Sequence, residues 1–251
     1  MKTSFSISKV LKESWRALIS QFWVLVGLVI GYTIIVIALA VIFPQKQLSI
    51  ITLVSTLVNM SIGILFGLGY TKNMFEALDG DEPQFSAFTQ QAAKFFKSLG
   101  ASILVGIGAF IYLIIICLII YMLPGESVAG NSMYGQIDPL GMLKPYAIPV
   151  FLVLLLPMFY VSMRLQFILA VIVAENAGSL QAIKRSWEIT EGESCKIILL
   201  FLTMLGFLLL GCICLLIGLF VAIPFLSLIQ CAAYRELRRN SAAEEETMIE
   251  S

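Results

Sequence analysis

The chain has 251 residues, 59% hydrophobic and 13% charged, with zero formal net charge and no histidine. Soluble domains run at roughly 45–50% apolar and about 25% charged residues, so this composition and a mean hydropathy of +0.96 exclude an ordinary soluble fold. Zero net charge gives no electrostatic basis for nucleic-acid binding, and the lack of histidine removes the commonest general base and neutral metal ligand.

Residues 5–20 are predicted to form an amphipathic helix. Ile7, Val10, Leu11, Trp15, Leu18 and Ile19 recur at three- and four-residue steps, while Lys9, Lys12, Glu13 and Arg16 take the other face. Ser6 stands where a cap is expected. The apolar run over 22–43, stopped by Pro44, is too long for a signal-peptide core and reads as a retained first span. A second span covers 48–70. Its stripe of Ser49, Thr52, Ser55, Thr56, Asn59, Gly63 and Gly67 suits a water-lined path or close helix packing. Packing is favoured, because small residues are routine at helix interfaces in membranes.

Asp79-Gly80 and Pro83 mark a turn. Asp79, Asp81 and Glu82 lack the further spaced ligands of a calcium loop, so they read as a solvated turn. A second amphipathic segment follows over 85–98, with Phe85, Phe88, Ala92, Phe95 and Phe96 on one face and Ser86 near its start. A third span covers 99–123, and an irregular loop over 124–145 is rich in Gly, Pro and Ser.

A fourth span, 146–174, contains Pro149, Pro157 and Arg164. Arg164 falls about ten residues from the nearer end, roughly 15 Å deep at helical rise. A charge at such depth costs from ~3 to over ~10 kcal/mol, so it normally faces protein or water. With Asn59 it forms a candidate intramembrane polar site. One reading is a contact for substrate, ion or lipid headgroup. The favoured reading is structural: the fourth span is overlong and extends into the cytoplasm, so that Arg164 snorkels or bonds to neighbouring helix carbonyls. Glu175 lies on nearly the same face three turns away, too far to pair with it.

A third amphipathic segment, 179–190, carries Leu180, Ile183 and Trp187 with Ser179 near its start. Lys196 to Leu237 has no internal charge until Arg235, twice the length one span needs. Division near 218–222, before Pro224, gives a tight hairpin of spans 196–217 and 221–237. The tail, 240–251, holds Glu244-Glu245-Glu246 and is expected to be disordered.

Backbone groups inside lipid must be satisfied internally, so the predicted fold is an all-α integral membrane protein with six transmembrane helices in one domain, 1–239. Its termini and its 2–3 and 4–5 loops share a side that carries thirteen basic residues, and the opposite side carries only Lys46 and Lys144. That bias predicts a multi-pass protein of the bacterial cytoplasmic membrane with both termini in the cytoplasm. Lys12-Glu13-Ser14-Trp15 and Lys184-Arg185-Ser186-Trp187 both precede long apolar runs, and Ala93-Lys94-Phe95-Phe96-Lys97 is a weaker third relative. The architecture is therefore expected to be three repeated units, each an interfacial helix plus a hairpin.

Trp15, Phe95, Phe96, Trp187, Lys12, Lys184 and Arg185 are the expected interfacial anchors, with the bilayer and its anionic lipids as partner. A membrane-protein partner or a second copy of the chain is a further expectation. Cys117, Cys195, Cys212, Cys214 and Cys231 form no C-x-x-C pair and read as buried small hydrophobes. No catalytic residue, cofactor or metal site is predicted.

Arg164, Glu175 and the run Ala182 to Thr190 resemble a broad group of bacterial multi-pass membrane proteins, as do Tyr234-Arg235-Glu236-Leu237 and the Asp79-Gly80 turn followed by Phe85 and Phe88. The group includes the membrane domain sometimes fused to glycerophosphodiester phosphodiesterases and uncharacterised inner-membrane proteins of similar size. The resemblance implies the architecture and a bacterial membrane location. It carries over no phosphodiesterase activity, because the soluble catalytic domain is missing from this sequence.

The leading functional expectation is a non-enzymatic scaffold, accessory subunit or envelope-homeostasis protein. The alternative is a permease-like subunit with a cavity around Arg164, since repeated units recur in transporter folds. A lipid enzyme using Glu175 or Cys195 is the weakest reading, because nothing in the sequence pairs them convincingly.

Overall fold

Apolar runs of this length are forced into helices, and the computed structural model describes residues 5–42, 50–122, 147–214 and 217–249 as helices joined by short turns, with no strand among them. Ten α-helices follow in order: α1 Ile7–Ser20, α2 Phe22–Ile42, α3 Ile50–Asp79, α4 Ser86–Gln91, α5 Phe95–Met122, α6 Ala147–Leu165, α7 Ile168–Glu175, α8 Ser179–Ile189, α9 Ser194–Ile213 and α10 Ile217–Ile249. A 3-10 turn, Ala92–Lys94, joins α4 to α5. Among the described residues, six helical stretches are long and apolar enough to cross a membrane, which marks a multi-pass membrane protein. Pro44, Lys2, Lys46, Lys144 and the loop over 124–145 lie outside the described residues.

The described chain forms two compact units. The smaller lies between Ser102 and Met163 and contains most of α5 and α6, where the Tyr112 hydroxyl donates to the Leu154 carbonyl at 2.7 Å. The larger comprises residues up to Ala101 together with Arg164 onward. Its central element is α10: half of the most apolar stretch in Gly218–Ala243 is buried inside the fold, against 22% for Phe22–Ile42. Outward-facing Ile34, Ile35, Leu53 and Leu57 are the surface expected of helices solvated by lipid.

Several expected boundaries move, for identifiable reasons. The second span does not end at Tyr70, because Tyr70, Asn73, Met74 and Ala77 are buried by tertiary packing and α3 continues until Gly80 turns left-handed at φ 88°. The predicted fourth span is two helices, interrupted at Gln166 and Phe167, while α6 continues as helix through Pro157. The division between the last two spans comes earlier than expected, with α9 ending at Ile213 and α10 beginning at Ile217. A Cβ on Gly218 would lie 2.6 Å from the Gly211 carbonyl oxygen, so the two helices meet where neither has a side chain. The stretch after Arg239, expected to be disordered, continues α10 as helix to Ile249. Of the five cysteines only Cys231 is buried; Cys117, Cys195, Cys212 and Cys214 are exposed.

Part of the polar stripe of α3 is packed: Ser55 is buried, and neighbours approach Gly63 and Gly67, whereas Thr56 is exposed and Ser49 lies outside the described residues. The positions a Cβ would take on Gly63 and Gly67 lie 3.4 Å from the Tyr32 hydroxyl and from Leu169. Thr56 and Asn59 bond back to Thr52 and Ser55 carbonyls of their own helix.

Candidate functional site

Arg164 stands in the last turn of α6, next to the helix break. Its side chain is 6% exposed. Nη2 donates to the Thr190 carbonyl at 3.4 Å and to Ser194 Oγ at 3.3 Å, and the guanidinium lies 4.4 Å from the centroid of the Trp187 ring. A buried cation over an aromatic face gains about 1–2 kcal/mol from the ring quadrupole. One turn of α8 also repairs the break itself: Ser186 Oγ donates to the Arg164 carbonyl at 2.7 Å. Gln230 of α10 donates to the Gln166 carbonyl. An interrupted helix leaves carbonyls without intrahelical partners, and in an apolar surrounding these must be bonded by side chains. Thr190 Oγ1 bonds the Ser186 and Trp187 carbonyls, closing α8, and Gly192 at φ 79° turns the chain so that Ser194 comes back toward Arg164.

A second polar cluster surrounds one stretch of α10, Tyr234 to Arg239. The Tyr234 hydroxyl donates to Glu175 Oε1 at 2.7 Å, Arg238 Nε lies 3.2 Å from the same oxygen, and Arg185 Nε lies 3.7 Å from Glu175 Oε2. Arg235 grips Asp79 with both terminal nitrogens at 2.7 Å, donates to the Phe75 carbonyl at 3.0 Å, and stacks over the Phe75 ring. Glu236, 8% exposed, receives Lys9 at 3.1 Å and Arg239 at 2.9 Å. This stretch therefore ties α10 to α1, α3 and α7, and through Glu175 to α8. Bidentate and multiply paired charges hold geometry far better than isolated surface pairs.

The lysines before the third span serve a third helix end. Lys94 Nζ donates to the Val173 carbonyl at 2.8 Å, and Lys97 Nζ to the Asn176 carbonyl and Oδ1 at 2.7 and 2.8 Å. Both satisfy open carbonyls and place positive charge at the negative end of α7. Asn176 there adopts φ 54°, a left-handed cap that asparagine tolerates.

The residues singled out from sequence divide accordingly. Arg164 and Trp187 come together; Asn59 bonds to its own helix and shares no bond with Arg164. Lys184 and Arg185 are engaged by Glu188, and Arg185 also by Glu175. Trp15 is 53% exposed and edge-on to Phe225, Phe96 is 79% exposed, and Phe95 is half-buried against it. Lys12 is exposed and makes no ion pair among the described residues. The amphipathic helices are not simply laid on a surface: α1 buries Val10, Ser14, Ala17 and Leu18 against the fold while Trp15 and Ile19 stay exposed. Asp79, read as a solvated turn residue, keeps its side chain 55% exposed at the end of α3 and is also the Arg235 partner. Sequence reasoning missed Glu175 and Glu236 as acceptors. The one available signal was the density of charge in Tyr234-Arg235-Glu236-Leu237 at the end of an otherwise apolar run. Among the described residues, no group of three or more acidic, histidine or cysteine side chains could hold a metal ion.

No curated protein and no solved structure matches the chain. The family model described as Protein of unknown function (DUF975) matches residues 1–241, a match that carries no link to glycerophosphodiester phosphodiesterases. Nearly the whole chain, including Arg164, Glu175 and the Tyr234–Arg239 stretch, lies within that match, and the chain belongs to the DUF975 family.

Proposed function

We propose that this is a non-enzymatic, multi-pass protein of the bacterial cytoplasmic membrane, with both termini in the cytoplasm, that works as a scaffold or accessory platform in envelope or lipid homeostasis. The observation that carries this reading is the Tyr234–Arg239 stretch of α10, which fastens α1, α3 and α7 and, through Glu175, α8. A layer locked in this way presents a fixed surface to lipid or to a partner, whereas a permease needs elements that rearrange around a central site. Arg164, the residue a permease would use, is engaged by Trp187, Thr190 and Ser194. The excess of basic residues on the side shared by the termini supports the orientation.

Two measurements test the reading. A reporter fused after Ser251 should be active in the cytoplasm and silent outside it. Purified protein in proteoliposomes should carry no solute flux above that of empty vesicles. Flux that is abolished by Arg164→Gln, in a variant that still purifies as a folded species, would replace the platform with the permease reading.

A further inference from the structure

The described cations of this protein are almost all neutralised within the fold. Lys9, Lys72, Lys184, Arg185, Lys196, Arg235, Arg238 and Arg239 have carboxylate partners, Lys94 and Lys97 bond carbonyls, and Arg164 is held in its own seat. Among the described residues only Lys12 and Arg16 have no such partner. They stand four residues apart on α1, on one face, where like charges repel by a few tenths of a kcal/mol. Both line the same open cleft, about 790 Å³, between α1 and the C-terminal end of α3 at Ala77–Gly80. Ser6 and Ser8 line it as well; Ser6 makes no side-chain cap on α1, so its hydroxyl is available as a donor. Two cations and free hydroxyl donors converging on one cavity are the groups that recognise a phosphate oxyanion, the guanidinium as a two-pronged donor and the ammonium as a point charge.

We propose that this cleft binds a phosphate-bearing anion, with Lys12 and Arg16 as its charged ligands. Two carboxylates also line the cleft: Asp79 is committed to Arg235, whereas Glu13 makes no ion pair among the described residues and so opposes the anion. Trp15 and Ile19, exposed on the adjoining face of the same helix, suit a ligand whose phosphate is attached to an acyl chain. The shared chemistry is the phosphate group, from a lipid headgroup or from a soluble phosphate. The inference rests on the proposed platform only for its place at the membrane surface.

The test uses the full chain in nanodiscs. Retention of phosphatidylglycerol over phosphatidylcholine is read by native mass spectrometry, and inorganic phosphate is titrated separately by calorimetry in phosphatidylcholine discs. Lys12→Ala/Arg16→Ala, at two exposed positions, should keep the thermal stability of the parent and lower phosphatidylglycerol preference about tenfold, the loss of ~1.4 kcal/mol. Glu13→Gln should raise that preference severalfold. Phosphate binding that depends on Lys12 and Arg16 without any headgroup preference would assign the cleft to a soluble phosphate. If neither probe distinguishes the double variant from the parent, the proposal is overturned, while a cytoplasmic reporter signal would leave the platform reading standing.

Discussion

The guanidinium of Arg164 lies over the ring of Trp187, 4.4 Å from its centroid, and so joins a charge in the fourth apolar run to the aromatic residue of the second Lys-x-Ser-Trp pattern. The first copy of that pattern behaves differently. Trp15 packs edge-on against Phe225, and Ser14 is buried without a hydrogen bond, whereas Ser186 bonds the Arg164 carbonyl. The same letters thus serve two kinds of contact. Truncating Trp187 to Leu should lower stability, and Arg164→Gln should do so too, each by about 1–3 kcal/mol. Because the two side chains touch, the double variant should fall short of the sum by about 1 kcal/mol. Thermal unfolding in detergent, followed by size-exclusion recovery, measures the cycle; full additivity would remove the stacking from the account of Arg164.

Arg235 and Asp79 make a bidentate pair that is partly open to solvent, with side chains 32% and 55% exposed. Screening limits its value to about 1 kcal/mol. Arg235→Asp alone sets two carboxylates against each other and should destabilise the junction of α3 and α10. Combining it with Asp79→Arg should recover most of the loss, although the Phe75 contacts of Arg235 would remain missing. Recovery of the unfolding midpoint in the swapped variant, weaker at high salt, is the expected result.

Gly69 sits under Phe88. A Cβ there would come 2.2 Å from the Phe88 ring and 2.8 Å from its backbone Cα, so α4 can approach α3 only across a glycine. Gly69→Ala should cost about 1–3 kcal/mol, the usual range for overpacking. Phe88→Ala should rescue it only in part, since the backbone contact persists. Limited proteolysis between α3 and α5 should quicken in Gly69→Ala and stay slow in the parent.

Asn176 holds φ 54° and receives Lys97 at two of its oxygens. Asn176→Gly keeps the backbone conformation and one acceptor, so its effect should stay within about 1 kcal/mol. Asn176→Val combines strain with loss of the side-chain acceptor and should cost more, about 2 kcal/mol. Lys97→Met should lower stability in the parent and less in Asn176→Val, a comparison that thermal unfolding resolves.

The amino-acid sequence by itself determined the helices. Runs of apolar residues twenty or so long have one way to satisfy their backbone in lipid, and the amphipathic segments declared themselves by period. It also located Arg164 as the charge needing a special environment, and it placed Lys12 on the polar face of α1. It did not determine what any charge would meet. Glu175 joins Arg238, Asp79 joins Arg235, and Lys9 joins Glu236, partners far apart in the chain whose side chains carry no periodic signal. Nor did it reveal the interruption at Gln166–Phe167, because a break inside an apolar run is tolerable only when other elements supply hydrogen bonds. Ser186 and Gln230 supply them, and only tertiary packing brings those two residues to the open carbonyls.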